Sequence, residues 1–190
     1  MSQMNVASFD SSKNPLQEML SHVSSGEMQL PDFQRGWVWD DEHIKSLIAS
    51  ISQSFPIGAV MTLENGGKDV RFQPRPIEGS ESSCNNEVPD TLVLDGQQRL
   101  TSLFQALMMD HPVITWDAKG KKVLRWYYLD MKKCISREID REDAVISVPE
   151  DKLVKTFRGE VTLDLSSDED EYARDIFPVK AIFHSSDWRQ

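Results

Sequence analysis

The sequence predicts an α+β domain in which a small mixed β-sheet is flanked by helices, and three observations support this fold class. Residues 92–94 are apolar and partly β-branched, and a helical repeat of apolar residues follows at 100–108. Residues 57–63 form a second apolar run behind an amphipathic segment, so that strand and helix alternate again. Residues 113–116 and 123–129, separated by a turn-forming segment, predict a hairpin.

The first helix is expected to begin with Asn14 as N-cap and Pro15 at the first helical position, with Gln17 completing a capping box. Apolar residues then recur at helical spacing, and Gly26 is expected to end the helix. This apolar stripe consists of Leu16, Met19, Leu20 and Val23.

The second helix is expected to have Asp40 as its N-cap, because Trp39 and Ile44 then occupy the two positions of a hydrophobic staple. The apolar stripe continues as far as Phe55, and Pro56 is expected to end the helix.

Three further segments connect these helices to the strand at residues 92–94. Residues 28–31 are expected to be extended, and residues 57–63 are expected to form a central strand that is covered on both faces. Residues 64–90 are rich in Gly, Asn, Pro, Ser and charge, so they are interpreted as an inserted loop that is mobile around residues 79–86.

The domain organisation predicted from these patterns is a flexible N-terminus at residues 1–13, one domain at 14–165 and a C-terminal segment at 166–190. Residues 166–171 are interpreted as a solvated acidic loop. The final residues show no closing element, so we expect a truncated C-terminal segment that continues into a longer protein.

Composition narrows the function classes. The 190 residues carry a net charge of −10, which argues against a broad basic face that grips DNA or an anionic membrane. No signal peptide or apolar span is apparent, so we expect a soluble, cytoplasmic protein that does not contact membranes. Two distant cysteines and four scattered histidines suggest neither a disulfide framework nor a zinc site.

The segment Asp95-Gly96-Gln97-Gln98-Arg99 has the features of a phosphate-binding loop. Gly96 permits a sharp turn and a close approach of ligand, and the next three main-chain amides begin a helix without intrahelical acceptors. Arg99 lies in the first turn, where the helix dipole disfavours a cation unless an anion is bound. The alternative is that Asp95 caps the helix, Gly96 makes the turn and both glutamines are surface residues.

Two other features bear on this site. Asp95 is a candidate ligand of Mg²⁺ on the phosphates, or a group that orients water. Gln34 and Arg35 form a second pair of amide and guanidinium groups on an aromatic-rich loop, and could close the other side of the site; the alternative is that Arg35 stacks on Trp37 or Trp39 as a structural residue. The chain has neither a Walker lysine motif nor G-x-G-x-x-G.

Three motifs in order, residues 31–39, 56–58 and 95–101, resemble those of the DGQQR-motif domains of the ParB/sulfiredoxin-like fold. Such domains stand at the N-terminus of GmrSD-type and SspE-type modification-dependent restriction and phage-defence proteins. The resemblance covers residues 16–131 and implies a strand-GxxR-helix loop that binds nucleotide phosphates.

The resemblance also implies a function: nucleoside triphosphate binding and hydrolysis that regulates DNA cleavage by a nuclease domain or subunit outside this chain. It implies that Asp95, Gln98 and Arg99 are catalytic, with Mg²⁺ as the cofactor and DNA as a partner of the full-length protein. Two alternatives stay open, a non-hydrolysing DNA-binding or sensor module and a ParB-like nuclease domain, and the sequence is compatible with an oligomer. The predicted phosphate-binding residues are Gly96, Gln97, Gln98, Arg99, Gln34 and Arg35.

Overall fold

The computed structural model describes residues 10–65, 72–82, 84, 88–117, 119–185 and 188, and the α+β class is confirmed. Most of the expected flexible N-terminus, residues 1–9, lies outside the described residues. The helices are α1 (Leu16–Ser25), α2 (Asp41–Ser52), α3 (Gln97–Met108), α4 (Met131–Ile135), α5 (Arg141–Ala144) and α6 (Asp168–Ala173), followed by a 3-10 helix (Val179–His184). The strands are β1 (Met28–Pro31), β2 (Met61–Glu64), β3 (Pro74–Arg75), β4 (Thr91–Asp95), β5 (Val113–Trp116), β6 (Lys122–Asp130), β7 (Val145–Pro149), β8 (Leu153–Lys155), β9 (Val161–Asp164) and β10 (Ile176–Pro178).

The first sheet is mixed and has the strand order β2-β4-β1-β3. Strands β1 and β4 are parallel, with Met28 opposite Thr91, while β2 and β3 are antiparallel to their neighbours. Strand β4 is an inner strand of this sheet. At its C-terminal end a single residue, Gly96, leads into the N-terminus of α3. The expected strand, turn and helix at this point are confirmed.

The expectation of a central strand at residues 57–63 is wrong. Only residues 61–64 are extended in register, and β2 pairs with β4 alone, at the edge of the sheet. The side chain of Met61 is half exposed, so the apolar run does not indicate cover on both faces. Residues 57–60 instead approach the start of α3, where the partly buried Ile57 and Val60 pack against the core.

The two helix predictions hold in part. Helix α1 ends at Gly26, which has a left-handed φ of 84°, but it begins one residue late and no side chain caps it, so the Asn14 capping box does not form. Helix α2 begins as predicted, because Asp40 accepts a hydrogen bond from the amide of His43 at 3.0 Å. It ends at Ser52, and Phe55 lies outside it with an exposed side chain.

Part of the segment interpreted as an insertion belongs to the domain. Within residues 64–90, β3 pairs with β1, and Ile77 and Ser80 are fully buried. The described part of this segment therefore closes one edge of the first sheet and contributes to its core. Residues 66–71, 83 and 85–87, which include three residues of the range expected to be mobile, lie outside the described residues.

The second sheet is antiparallel and is centred on the long strand β6, which pairs with β5, β7 and β10. The predicted hairpin of β5 and β6 is confirmed, and β8 and β9 form a separate hairpin. The expected acidic loop is wrong, because Ser167 caps α6 and the side chain of Glu171 is buried. That carboxylate is accommodated because the hydroxyl of Tyr128 and the ammonium of Lys152 both donate to it.

Helix α3 lies at the centre of the larger hydrophobic core and contacts α1, α2, β5 and the 3-10 helix. Leu100, Leu103, Phe104 and Leu107 are at most 2% exposed, as the helical repeat predicts. The same helix also buries four polar residues, which the sequence pattern does not explain by itself. They are Gln97, Thr101, Ser102 and Gln105.

A candidate phosphate-binding loop

The junction of β4 and α3 has the geometry expected of an anion site. Gly96 is the N-cap residue and adopts a left-handed conformation with φ 88°, which glycine alone enters without strain. Among the described residues no side chain caps the helix, so the first-turn amides of Gln97, Gln98 and Arg99 have no side-chain acceptor there. Those amides and the positive end of the helix dipole favour a bound anion.

Arg99 ties the loop before β2 to the start of α3. Its guanidinium donates to the carbonyl oxygens of Ile57 at 2.5 Å and Ala59 at 2.9 Å, and pairs with the carboxylate of Asp95 at 3.3 Å. The side chain of Arg99 is 20% exposed, against 71% for Asp95. The Arg99 guanidinium therefore adds a fixed positive charge beside the first-turn amides, while the Asp95 carboxylate faces solvent.

The glutamines in this region bind main chain. Gln34 donates to the carbonyl of Leu94 at 2.7 Å, and Gln97, which is 5% exposed, donates to the carbonyl of Arg35 at 2.7 Å. Gln98 accepts from the amide of Val38 at 2.9 Å and donates to the carbonyl of Gly36 at 3.3 Å. These side chains hold the loop of residues 34–38 against the end of β4 and the start of α3. Their predicted contact with phosphate stays a prediction.

Two residues that the sequence did not single out hold the same loop from the opposite side. Arg75 donates to the carbonyls of Gln34 and Arg35, at 3.2 and 3.0 Å. Glu78 pairs with Arg75 at 3.1 Å and accepts from the amide of Trp37 at 3.1 Å. Both lie in the segment interpreted as an insertion, and no local pattern reveals their partners about 40 residues earlier in the chain.

Arg35 is brought to the start of α3 through its main chain, and its side chain is exposed. Among the described residues its guanidinium makes neither a hydrogen bond nor an ion pair, and the cation–π contacts found there involve Lys152 and Lys180. In the described part of the chain, Arg35 therefore does not stack on Trp37 or Trp39, as the structural alternative required. Arg35 is available to an anionic ligand.

The sequence of this chain matches the model of a family described as the GmrSD restriction endonuclease N-terminal domain, over residues 16–185. The chain belongs to this family. It is also 33% identical, over 139 residues, to an uncharacterized protein of Methanocaldococcus jannaschii. That match covers 72% of this chain and 23% of the relative, so the chain spans about a quarter of the relative's length. No solved structure matches.

This GmrSD-type domain offers a single carboxylate, Asp95, at the start of α3. Among the described residues no three His, Cys, Asp or Glu side chains form a cluster that could hold a metal ion. Mg²⁺ is commonly held by one or two carboxylates together with substrate phosphates and water, so the exposed Asp95 fits that mode of binding. In the described part of the domain, none of the helices has the length and apolar character needed to span a bilayer.

Proposed function

We propose that this domain binds a nucleoside triphosphate at the start of α3 and hydrolyses it, and that hydrolysis controls DNA cleavage by a nuclease outside this chain. The observation that carries the proposal is the uncapped first turn of α3 behind Gly96, with the cation of Arg99 fixed beside it. An anion there would satisfy the free amides at the positive end of the helix dipole.

The chain's own residues would act by positioning and by electrostatics. The first-turn amides and Arg99 would bind the phosphoryl oxygens and stabilise the charge that develops on them. Arg35, exposed on the loop that Gln97 and Gln98 hold in place, would close over the phosphates from the other side. Asp95 would orient the attacking water or hold Mg²⁺, which supplies charge neutralisation on the phosphates when it is bound.

Membership in a restriction endonuclease family supports the link to DNA cleavage. The parallel pair of β1 and β4 that leads into α3 is compatible with a ParB/sulfiredoxin-like arrangement, and we propose that fold for the first sheet. The match covers 23% of the Methanocaldococcus jannaschii relative, so most of that protein lies outside the matched region and is long enough to form further domains. We propose that the nuclease is such a domain, or a separate subunit, and that the full-length protein binds DNA and is cytoplasmic.

The test is nucleotide binding by calorimetry, with each of the four nucleoside triphosphates and Mg²⁺, together with phosphate release. Arg35→Ala should weaken binding by about tenfold or more, because a charge-assisted hydrogen bond is lost without loss of a fold contact. Arg99→Ala should abolish both binding and phosphate release. Arg137→Ala, at an exposed residue of the second half of the chain, is the matched control and should behave as wild type.

Three results would contradict the proposal. Equal nucleotide affinity of wild type and Arg35→Ala would show that Arg35 does not contact the phosphates. Nucleotide binding without phosphate release by the full-length protein would show that the domain senses the nucleotide but does not hydrolyse it. Salt-dependent DNA binding with no nucleotide binding at all would instead support the DNA-binding module.

A further inference from the structure

A groove distinct from the start of α3 lies on the far side of the loop of residues 34–38. Its lining includes Gly36 and Trp37 of that loop, Glu78 and Gly79, and Ile114 and Trp116 of β5. Gln105, in the third turn of α3, also lines it. This groove plays no part in the nucleotide site proposed above.

Two acceptor oxygens of the groove residues have no hydrogen-bond partner among the described residues, namely Oε1 of Gln105 and Oε2 of Glu78. Gln105 is 3% exposed, and its amide nitrogen donates to the main-chain carbonyl of Glu78 at 3.0 Å, so the two side chains are neighbours. A buried acceptor without a donor is destabilising. Both residues line the groove, and the bonds that their other terminal atoms make fix the orientation of the two groups, so a donor must reach these oxygens where they lie.

The walls of the groove suit a flat ring. Trp37 and Trp116 pack edge to face, with ring centroids 5.6 Å apart and an interplanar angle of 69°. Ile114 lies beside Trp116, and Lys122 lines the same groove. Aromatic and apolar walls with a few polar groups are typical of sites for planar heterocycles.

We propose that this groove binds guanine, with Glu78 and Gln105 as the acceptors. Two neighbouring acceptors require a ligand edge with two neighbouring donors. Guanine presents its N1–H and its exocyclic amino group side by side, whereas adenine and cytosine place a ring acceptor beside the amino group, and uracil and thymine place one N–H between two carbonyls. Guanine is therefore the common base whose hydrogen-bonding edge matches both oxygens.

The groove contacts the phosphate-binding loop through shared residues. Gly36 and Trp37 line the groove, while the carbonyl of Gly36 accepts from Gln98 and the indole of Trp37 donates to Ser102 at 3.0 Å. The guanine proposal nevertheless stands without the nucleotide proposal, because guanosine, which has no phosphate, is a sufficient probe.

The test compares guanosine with inosine, which differs only in lacking the amino group. Binding to the 190-residue chain is followed by ligand-observed NMR and by tryptophan fluorescence, and guanosine should bind about tenfold more tightly, because inosine leaves one acceptor unpaired. Glu78→Gln keeps the shape and the acceptor used by Trp37, but places a donor where Oε2 lies, and should remove the preference. Glu138→Gln, at an exposed site without an ion pair among the described residues, should keep it.

A second pair of probes identifies the source of the base. A single-stranded oligonucleotide with one guanine is compared with the same oligonucleotide carrying hypoxanthine at that position. A preference for guanine in either pair supports the site, and the pair with the tighter binding shows whether the base comes from a free nucleoside or from nucleic acid. Equal binding within both pairs, or an unchanged preference in Glu78→Gln, would overturn the proposal without bearing on phosphate binding at α3.

Discussion

Gly58 lies directly against the guanidinium of Arg99, so that a Cβ atom at position 58 would overlap Nη1. Gly58 also has a φ of 91°. The loop between α2 and β2 can therefore wrap around Arg99 and offer it the carbonyls of Ile57 and Ala59. The short motif at residues 56–58 therefore holds the guanidinium of Arg99, the arginine of the candidate phosphate-binding loop.

This relationship predicts the effect of Gly58→Ala. The free energy of unfolding should fall by about 1 kcal/mol because alanine is strained in the left-handed conformation, and by about 1–3 kcal/mol more because Arg99 must move. Gly120→Ala is the matched control, since Gly120 has a φ of 73° and, its two chain neighbours aside, no atom of the described residues lies within 4 Å of an added Cβ. Urea unfolding of both variants gives the comparison, and equal free energies of unfolding would mean that Arg99 moves aside without cost.

Gln98 is predicted to hold the loop of residues 34–38 through its paired bonds to Val38 and Gly36. Gln98→Ala should lower the free energy of unfolding by about 1–2 kcal/mol, because two main-chain groups lose their partners. It should also raise the hydrogen-exchange rate of the Val38 amide. Gln53→Ala, at an exposed residue without a side-chain hydrogen bond among the described residues, should change neither quantity.

Asp40 makes the stability of α2 dependent on pH. The main-chain amide and the side chain of His43 both donate to its carboxylate and hold its pKa below the ordinary value of 3.8. A lowered pKa in the folded state stabilises the fold above that value, and the stabilisation disappears as the pH falls through the folded-state pKa. The difference in free energy of unfolding between wild type and Asp40→Asn should therefore be larger at about pH 6 than at about pH 3. A difference that does not change with pH would contradict a lowered pKa of Asp40 in the folded state.

The parts of the fold that the sequence predicts are those set by neighbours in the chain. The turn at Gly96, the end of α1 at Gly26 and the cap at Asp40 each depend on a few adjacent residues. The hairpin of β5 and β6 is likewise local. Backbone requirements at such positions restrict the residue type enough to be recognised.

The candidate site is only half predictable for the same reason. The residue types at 95–99 indicate donors and free amides, but not that the glutamines turn back to the loop of residues 34–38. Arg75 and Glu78 clamp that loop from a segment whose composition is typical of an insertion. Their role follows from strand β3, whose pairing with β1 is a long-range contact that no local pattern reports.

The environment of the Glu171 carboxylate could not be predicted from the sequence around it. Glu171 stands in an acidic run, yet only 2% of its side chain is exposed, and Tyr128 and Lys152 donate to it at 3.0 and 3.2 Å. Glu171→Ala should lower the free energy of unfolding by about 3 kcal/mol or more, because it leaves the mostly buried ammonium of Lys152 and the buried hydroxyl of Tyr128 without their acceptor. Glu169→Ala, in the same helix but exposed, should change it by less than about 0.5 kcal/mol. Urea unfolding measures both changes. Similar values would contradict the burial of Glu171 and would support the solvated acidic loop that the composition suggests.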